Sequence, residues 1–227
     1  MVDKQGAEVL SMEPRFLIVG PADAACTILL AHGAGAPMDS GSMTAMATTF
    51  ATAGFRVVRF EFEYMAHRRT DGARKPPPRA DRLQEEYRDA IEKLGTVGSL
   101  IIGGKSMGGR VASMIANDLH AAGSIAGLIC VGYPFHPIGK PDQLRTAHLA
   151  DTKTPTLIVQ GTRDQFGNQT EVANYKLSSA IEIVWLADGD HDLKPRKSVS
   201  GFSQADHLET LGQAVRAWAE REKIVPT

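Results

Sequence analysis

The sequence predicts an α/β fold in which a doubly wound, mainly parallel β-sheet is flanked by helices on both faces. Short runs rich in Val, Ile and Leu alternate with longer segments of helical period, and this alternation is typical of such sheets. No linker or low-complexity tract interrupts the pattern. The 227 residues suit one large buried core, so we expect a single domain over residues 1–227.

The predicted strands are apolar runs bounded by turn residues, and they lie within CTILLAHG, FRVVRFEFEYM, SLIIGGKS, AGLICVGYP, PTLIVQGTRD and IEIVWLADGD. Helices are predicted within RADRLQEEYRDAIEKLG, from Met107 to Leu119, and within DHLETLGQAVRAWAE. In the first and last of these helices apolar residues recur at helical spacing: Leu83, Tyr87, Ala90, Ile91 and Leu94, then Leu208, Leu211, Val215 and Trp218.

Composition and charge argue against several classes of partner. The chain has 25 basic and 26 acidic residues, so no global field favours nucleic acid or an anionic membrane. Neither the N-terminal MVDKQGAEVL nor any later segment reads as a signal peptide or a bilayer span. We therefore expect a cytoplasmic protein that binds neither nucleic acid nor membrane. Cys26 and Cys130 lie in apolar runs and are expected to be buried free thiols.

The segment SLIIGGKSMGGR (Ser99–Arg110) fits two incompatible chemistries, and spacing separates them. A phosphate-binding loop needs a glycine five positions before the Gly-Lys pair, where this chain has Ser99 followed by strand-like residues. A nucleophile elbow needs Gly-x-Ser-x-Gly between a strand and a helix, and Gly104 to Gly108 supplies it. Because the elbow strains the serine backbone, small neighbours are required there. The sequence therefore predicts Ser106 as a nucleophile.

A serine hydroxyl needs a base and an orienting acid, which in this arrangement follow in the order Ser, acid, His. Asp164 comes just past one predicted strand and His191 past the next, so both reach the same sheet edge as the elbow. We predict His191 as the base and Asp164 as its partner. Rival acids crowd the histidine loop and stay open as alternatives: Asp188, Asp190 and Asp192.

The tetrahedral intermediate needs an anion site, for which two backbone amides are candidates. One is the amide of Met107, after the nucleophile and at a helix N-terminus. The other comes from the glycine-rich turn in LLAHGAGAP, where Ala34 follows the His-Gly pair. His32 is expected to order this turn rather than to catalyse. The remaining histidines are expected mostly at the surface: His67, His120, His136, His148 and His207.

The motifs HGAG, GKSMGG, GTRDQFG and GDHDL, in this order, resemble the α/β-hydrolase superfamily, and in particular its small, lidless, dienelactone-hydrolase-like members. The wider pattern is similar to a group of small bacterial predicted hydrolases related to a subunit of an animal chromatin-acetylating complex. The resemblance runs from about Cys26 to Trp218. It implies the same triad and the same two oxyanion donors. Dienelactone hydrolases themselves use a cysteine where this chain has Ser106, so their substrate is not implied.

Two segments bear on the substrate. The stretch from Tyr133 to Pro155, where larger relatives insert a cap domain, is short, so no large cap and an open site are expected. The segment from Tyr64 to Asp81 is either a solvated, proline-stiffened connection or a basic rim for an anionic substrate. The candidate substrate-binding cations are Arg68, Arg69 and Arg74 of that rim and Lys105 of the elbow, although an elbow lysine more often packs or reaches solvent.

Together these features predict a serine hydrolase that acts on a small-molecule or acyl substrate, a carboxylic ester or thioester, through an acyl-enzyme. This chemistry requires no metal and no organic cofactor. The alternative is a protein-interaction module that keeps the fold but not the chemistry, as the resemblance to the chromatin-complex subunit suggests.

Overall fold

The structure is a computed structural model that describes residues 15–71, 76–95 and 98–226. In these residues seven strands form one sheet in the order β1-β3-β2-β4-β5-β6-β7, and all neighbours are parallel except the antiparallel pair β1 and β3. The strands are β1 (Leu17–Val19), β2 (Cys26–Ala31), β3 (Arg56–Phe60), β4 (Ser99–Lys105), β5 (Gly127–Val131), β6 (Thr156–Gly161) and β7 (Ile181–Leu186). This confirms the predicted α/β class and places a strand within each of the six predicted runs.

The sheet is covered by α-helices and short 3₁₀ turns. The helices are α1 (Gly41–Thr52), α2 (Glu63–Asp71), α3 (Gln84–Leu94), α4 (Met107–Ala121), α5 (Gln169–Val172), α6 (Lys197–Ser200) and α7 (Gln204–Arg221), and the 3₁₀ turns are Ala80–Leu83 and Ala147–Leu149. The helices α3, α4 and α7 confirm the prediction. Gly95 ends α3 in the left-handed conformation, as expected for a helix that stops at glycine.

Alternate residues of β2 point to opposite faces of the sheet, and both faces are buried. Leu29 and Ala31 pack into the core that α3 and α4 cover, whereas Ile28 and Leu30 pack into the core that α1 and α7 cover. Because both faces are covered, the central strands read as continuous apolar runs.

Cys26 and Cys130 are buried and free, and burial raises the pKa of the Cys26 thiol to about 12.

The sequence did not predict β1, α1 or α2. The strand β1 is three half-exposed residues, too short to show a period. The segment FEFEYM continues the alternation of β3, so it reads as strand, but the strand ends at Phe60 and α2 begins at Glu63. In the structure Phe62 and Met65 are buried, at the three-residue spacing of a helix entry rather than the two-residue spacing of a strand.

The carboxyl ends of the parallel strands meet at one edge of the sheet, and the loops that follow β2, β4, β6 and β7 gather there. Residues 132–155, between β5 and β6, hold a single 3₁₀ turn, so no large cap domain covers this edge. Across the part of the chain that the structure describes, each helix falls short of the length and apolar character that a bilayer crossing needs. Because residues 132–155 form no cap, this edge of the sheet is open to solvent.

Candidate active site

Ser106 lies in the sharp turn between β4 and α4, with φ 51° and ψ −115°. A side-chain-bearing residue rarely adopts this conformation, and the surrounding backbone enforces it. A Cβ at Gly104 would lie 2.4 Å from the Ala31 carbonyl oxygen, and one at Gly108 would lie at the same distance from that oxygen. The end of β2 therefore packs against bare backbone on both sides of the serine. The Ser106 amide also donates to the carbonyl of Val131, at 2.9 Å.

A continuous hydrogen-bond chain joins Ser106, His191 and Asp164. The distance from Ser106 Oγ to His191 Nε2 is 2.8 Å, and the distance from His191 Nδ1 to Asp164 Oδ2 is also 2.8 Å. With the Nδ1 proton donated to Asp164, Nε2 accepts the serine hydroxyl proton. The structure thus brings together the three residues that the sequence singled out from loops after β4, β6 and β7.

Asp164 is fully buried, and both of its oxygens are used. Oδ1 accepts from the Phe166 amide at 2.9 Å, and Oδ2 accepts from Gln160 Nε2 at 2.9 Å in addition to His191. Gln160 lies in β6 and its Oε1 accepts from the Tyr133 amide at 2.7 Å, so it couples the acid to the loop after β5. Sequence reasoning missed Gln160. The available signal was one polar residue near the end of an otherwise apolar strand.

The rival acids of the histidine loop each have another partner. Asp188 forms ion pairs with Arg163 and Arg196, and the hydrogen bonds from Arg196 lower its pKa to about 2. Asp190 Oδ1 accepts the amides of Asp192 and Lys194, each at 2.9 Å, and so closes the turn. These contacts shape the loop that presents His191, while Asp164 accepts the hydrogen bond from the His191 ring.

Lys105 does not line the cleft above Ser106, contrary to the interpretation that it meets an anionic substrate. Its Nζ donates to the His191 carbonyl oxygen at 2.6 Å and lies 3.5 Å from Asp192 Oδ1. The side chain is buried, and desolvation lowers its pKa while Asp192 and Asp164 partly offset that effect. The lysine therefore stabilises the histidine loop through its backbone, on the side away from the cleft.

Two further residues support the histidine loop. The ring of Phe166 lies 4.3 Å from the ring of His191, centroid to centroid. His207, expected at the surface, is instead buried in α7, and its Nδ1 donates to the Leu193 carbonyl oxygen at 2.9 Å. The expectation failed because a histidine on a helix is exposed or buried according to the face it occupies, and this face packs on the loop.

His32 is fully buried and orders the turn after β2, as expected. The Phe62 amide donates to its Nε2 at 3.2 Å, so Nδ1 carries the proton and donates to the Gly33 carbonyl oxygen at 2.7 Å. Burial lowers the pKa of His32, which keeps the ring neutral. The Tyr64 hydroxyl donates to the Ala34 carbonyl oxygen at 3.1 Å. Because a peptide unit is planar, fixing the Gly33 carbonyl also fixes the direction of the Ala34 N–H.

Ser106, Ala34 and Met107 line one cleft of about 800 Å³, within the usual range of roughly 300–1,000 Å³ for small-molecule sites. Its apolar lining includes Met114, Pro134, Leu144 and Phe166. Met107 is the first residue of α4, so its amide is not used by the helix. Among the described residues, neither the Ala34 nor the Met107 amide donates to a backbone carbonyl.

The arginines predicted to form a basic rim do not line the cleft where the structure describes them. Arg69 forms ion pairs with Asp39 and Glu61, at 2.6 Å each, and Arg68 lies over the Tyr64 ring at 5.2 Å. Neither lines the 800 Å³ cleft. Arg74 falls outside the described residues. The segment begins as the helix α2, and its far end, residues 77–81, lines the cleft with Arg79 paired to Asp81.

Three arginines that the sequence analysis did not single out line the cleft: Arg79, which pairs with Asp81, and then Arg110 and Arg145. Arg110 is one helical turn beyond Ser106 on α4, and Arg145 lies in the loop between β5 and β6. The four-residue spacing from the nucleophile was the available signal for Arg110, because residues i and i+4 share a helix face. Arg145 carried no such signal.

Comparison with known proteins agrees with this architecture. Residues 24–220 match a protein family described as an alpha/beta hydrolase domain. Among solved structures, an alpha-beta serine hydrolase homologue from Coxiella burnetii is 21% identical, with a TM-score of 0.61 and coverage of 89% of each chain. A dienelactone hydrolase from Anabaena variabilis is 17% identical, with a TM-score of 0.65 over 92% of this chain and 99% of its own.

A third similar structure is Est1E from Butyrivibrio proteoclasticus, which is 12% identical, with a TM-score of 0.67 over 92% of this chain and 94% of its own. At such low identity these three structures establish a common fold.

Proposed function

The chain belongs to the alpha/beta hydrolase domain family, and we propose that it hydrolyses a carboxylic ester or thioester with Ser106, His191 and Asp164 as its triad. The observation that carries the proposal is the unbroken hydrogen-bond chain through these three side chains, with both links at 2.8 Å. An adequately oriented base is what a serine hydroxyl needs to become a nucleophile.

In the proposed first half-reaction, Ser106 Oγ attacks the acyl carbon while His191 Nε2 takes the hydroxyl proton. Asp164 keeps the Nδ1–H tautomer and stabilises the imidazolium that forms. The developing oxyanion accepts hydrogen bonds from the amides of Met107 and Ala34, and the N-terminus of α4 favours its negative charge. Collapse of the tetrahedral intermediate breaks the ester or thioester bond, and His191 returns the proton to the leaving group.

In the second half-reaction, water enters the open cleft and His191 removes a proton from it. The resulting hydroxide attacks the acyl-enzyme carbonyl, and collapse of the second tetrahedral intermediate releases the acid while His191 returns its proton to Ser106 Oγ. The scheme uses no metal and no organic cofactor. The cleft, bounded by Leu144 and Phe166 and lacking a large cap, leaves room for a bulky acyl group or leaving group.

The test is labelling of the purified protein with a fluorophosphonate, followed by mass mapping of the adduct, with Ser106→Ala as the matched control. We expect stoichiometric labelling at Ser106 that is lost in the alanine variant, because only an activated serine displaces the fluoride. A folded sample that takes up no label would overturn the proposal and support a non-catalytic interaction module instead. Matched oxygen esters and thioesters of one acyl group then separate the two substrate classes by kcat/KM.

A further inference from the structure

Arg110 and Arg145, the arginine pair, lie on two different walls of the cleft that contains Ser106. Arg110 is held by α4, and four residues of helix place its Cα about 6 Å along the axis from that of the nucleophile. Arg145 is anchored through its backbone: its amide donates to Phe135 at 2.7 Å, and its carbonyl accepts the Tyr133 hydroxyl at 2.9 Å. Both arginines are therefore carried by fixed backbone in the lining of the cleft that contains the serine.

Neither member of the arginine pair has a carboxylate or a hydrogen-bond acceptor among the described residues, and the Nε of Arg110 is buried without one. The arginines that form ion pairs with carboxylates are Arg69, Arg79, Arg88, Arg163, Arg196, Arg216 and Arg221. Arg15, Arg56 and Arg82 also lack such a partner among the described residues, but they do not line the cleft. A half-buried guanidinium without a partner loses hydration and gains nothing in return, so the arginine pair costs stability in the free protein.

The surroundings leave this positive charge unbalanced. Burial lowers the pKa of Arg145, and the charge of Arg110 lowers it further. His148, which contacts Ser113 on the same helix as Arg110, has its pKa lowered to about 4 by burial and by Arg110, so it is neutral at pH 7. The other charged side chains that line the cleft, Arg79 and Asp81, pair with each other at 3.2 Å. Among the residues that the structure describes, the two positive charges in the cleft lining are therefore uncompensated.

We propose that the arginine pair binds a carboxylate group carried by the substrate, so that the substrate class is an anionic ester or thioester rather than a neutral one. This inference rests on the proposed hydrolase function. A carboxylate presents two oxygens in a plane and matches the fork of a guanidinium, and a charge-assisted hydrogen bond in a partly buried cleft is stronger than one in water. The apolar lining from Met114 and Leu144 suits the carbon chain between the carboxylate and the acyl carbon.

The experiment uses two fluorophosphonates of equal chain length, one ending in a carboxylate and the other in its methyl ester. The second-order rate constant for labelling Ser106 is measured for each. We expect the carboxylate probe to react on the order of tenfold faster, the factor that one or more hydrogen bonds to a charged group supply. In Arg110→Met and in Arg145→Met, which keep an unbranched apolar side chain, the ratio of the two rate constants should fall toward one.

Arg221→Met is the matched control, because it removes the same charge from α7, far in the chain from the cleft lining, and should keep the wild-type ratio. Labelling of each variant by the methyl ester probe shows that it is folded and has an activated serine. Equal rate constants for the two probes on wild-type protein, or a ratio that survives in both cleft variants, would refute the carboxylate site and leave the hydrolase proposal intact. Failure of both probes to label wild-type protein would refute the hydrolase proposal and this inference with it.

Discussion

The two sides of the catalytic centre are built differently. On the nucleophile side, backbone packs on backbone: the end of β2 lies against Gly104 and Gly108, where a Cβ would come within 2.4 Å of the Ala31 carbonyl oxygen. On the histidine side, side chains from distant segments hold the reacting groups. Gln160 contacts Asp164, Lys105 contacts the His191 carbonyl, and His207 contacts the same loop.

We expect substitutions on the nucleophile side to change mainly the stability of the fold and substitutions on the histidine side to change mainly the reactivity of Ser106. A change on the nucleophile side meets fixed backbone and must displace the sheet or the elbow, so its cost appears first in stability. A change on the histidine side leaves the backbone in place and alters the direction or tautomer of one ring, so its cost appears first in reactivity. The experiments below test this contrast from the largest expected effect to the smallest.

Asp164→Asn should give the largest loss of reactivity. The amide is isosteric but does not hold the productive His191 tautomer, so we expect the rate of acylation to fall by about 10⁴, as in comparable triads. The measurement is the labelling rate constant at Ser106, with the melting temperature recorded in parallel. A fall smaller than tenfold would point to Asp188, Asp190 or Asp192 as the orienting acid.

Gly108→Ala should show the opposite pattern, a loss of stability. The new Cβ would lie 2.4 Å from Ala31 O and 2.6 Å from His32 O, both backbone atoms that cannot move independently. Overpacking of this kind costs about 3 kcal/mol of unfolding free energy, measurable by denaturant titration. Gly41→Ala is the control, because nothing lies within 4 Å of a Cβ there. Equal stability of the two variants would contradict the backbone account of the elbow.

Lys105→Met should reduce reactivity about fivefold through the position of His191. The substitution preserves the buried apolar volume but removes the hydrogen bond to the His191 carbonyl oxygen, and a net contribution of about 1 kcal/mol is typical of one such bond. The readout is the labelling rate constant, measured beside the melting temperature. Asp192→Asn is the partner variant. Its carboxylate is half exposed, so a smaller effect is expected, and an equal or larger one would mean that the ion pair rather than the carbonyl contact positions the loop.

Tyr64→Phe should have the smallest effect, about threefold on the same rate constant. It removes one side-chain contact of the nucleophile side, the hydroxyl donated to the Ala34 carbonyl oxygen at 3.1 Å, while His32 still holds the preceding peptide. The turn is then slightly less ordered, and one oxyanion donor is less well aimed. A loss as large as that of Asp164→Asn would show that side chains, not backbone, dominate this side as well.

Local sequence determined the nucleophile side. The elbow is contiguous: a strand-forming apolar run, Gly104, Ser106, Gly108 and a helix of small residues follow one another within a few positions. The strain at Ser106 lies in its own backbone dihedral angles, so the motif reveals it without the fold, whereas the contact of Gly104 and Gly108 with Ala31 depends on the fold. The same locality explains why β2 to β7 and the long helices α3, α4 and α7 could be predicted. Where the period was ambiguous, as in FEFEYM, the prediction failed.

Tertiary structure decided the histidine side and the cleft. The order of Asp164 and His191 in the chain indicated their roles, but their distances depend on the spacing of β4, β6 and β7 across the sheet. Whether Lys105 faces substrate or the back of His191, and whether Arg110 and Arg145 find a carboxylate, depends on side chains that meet from segments far apart in sequence. Periodicity reports which face of an element is buried, but not which distant residue it touches, and charge recognition depends on that contact.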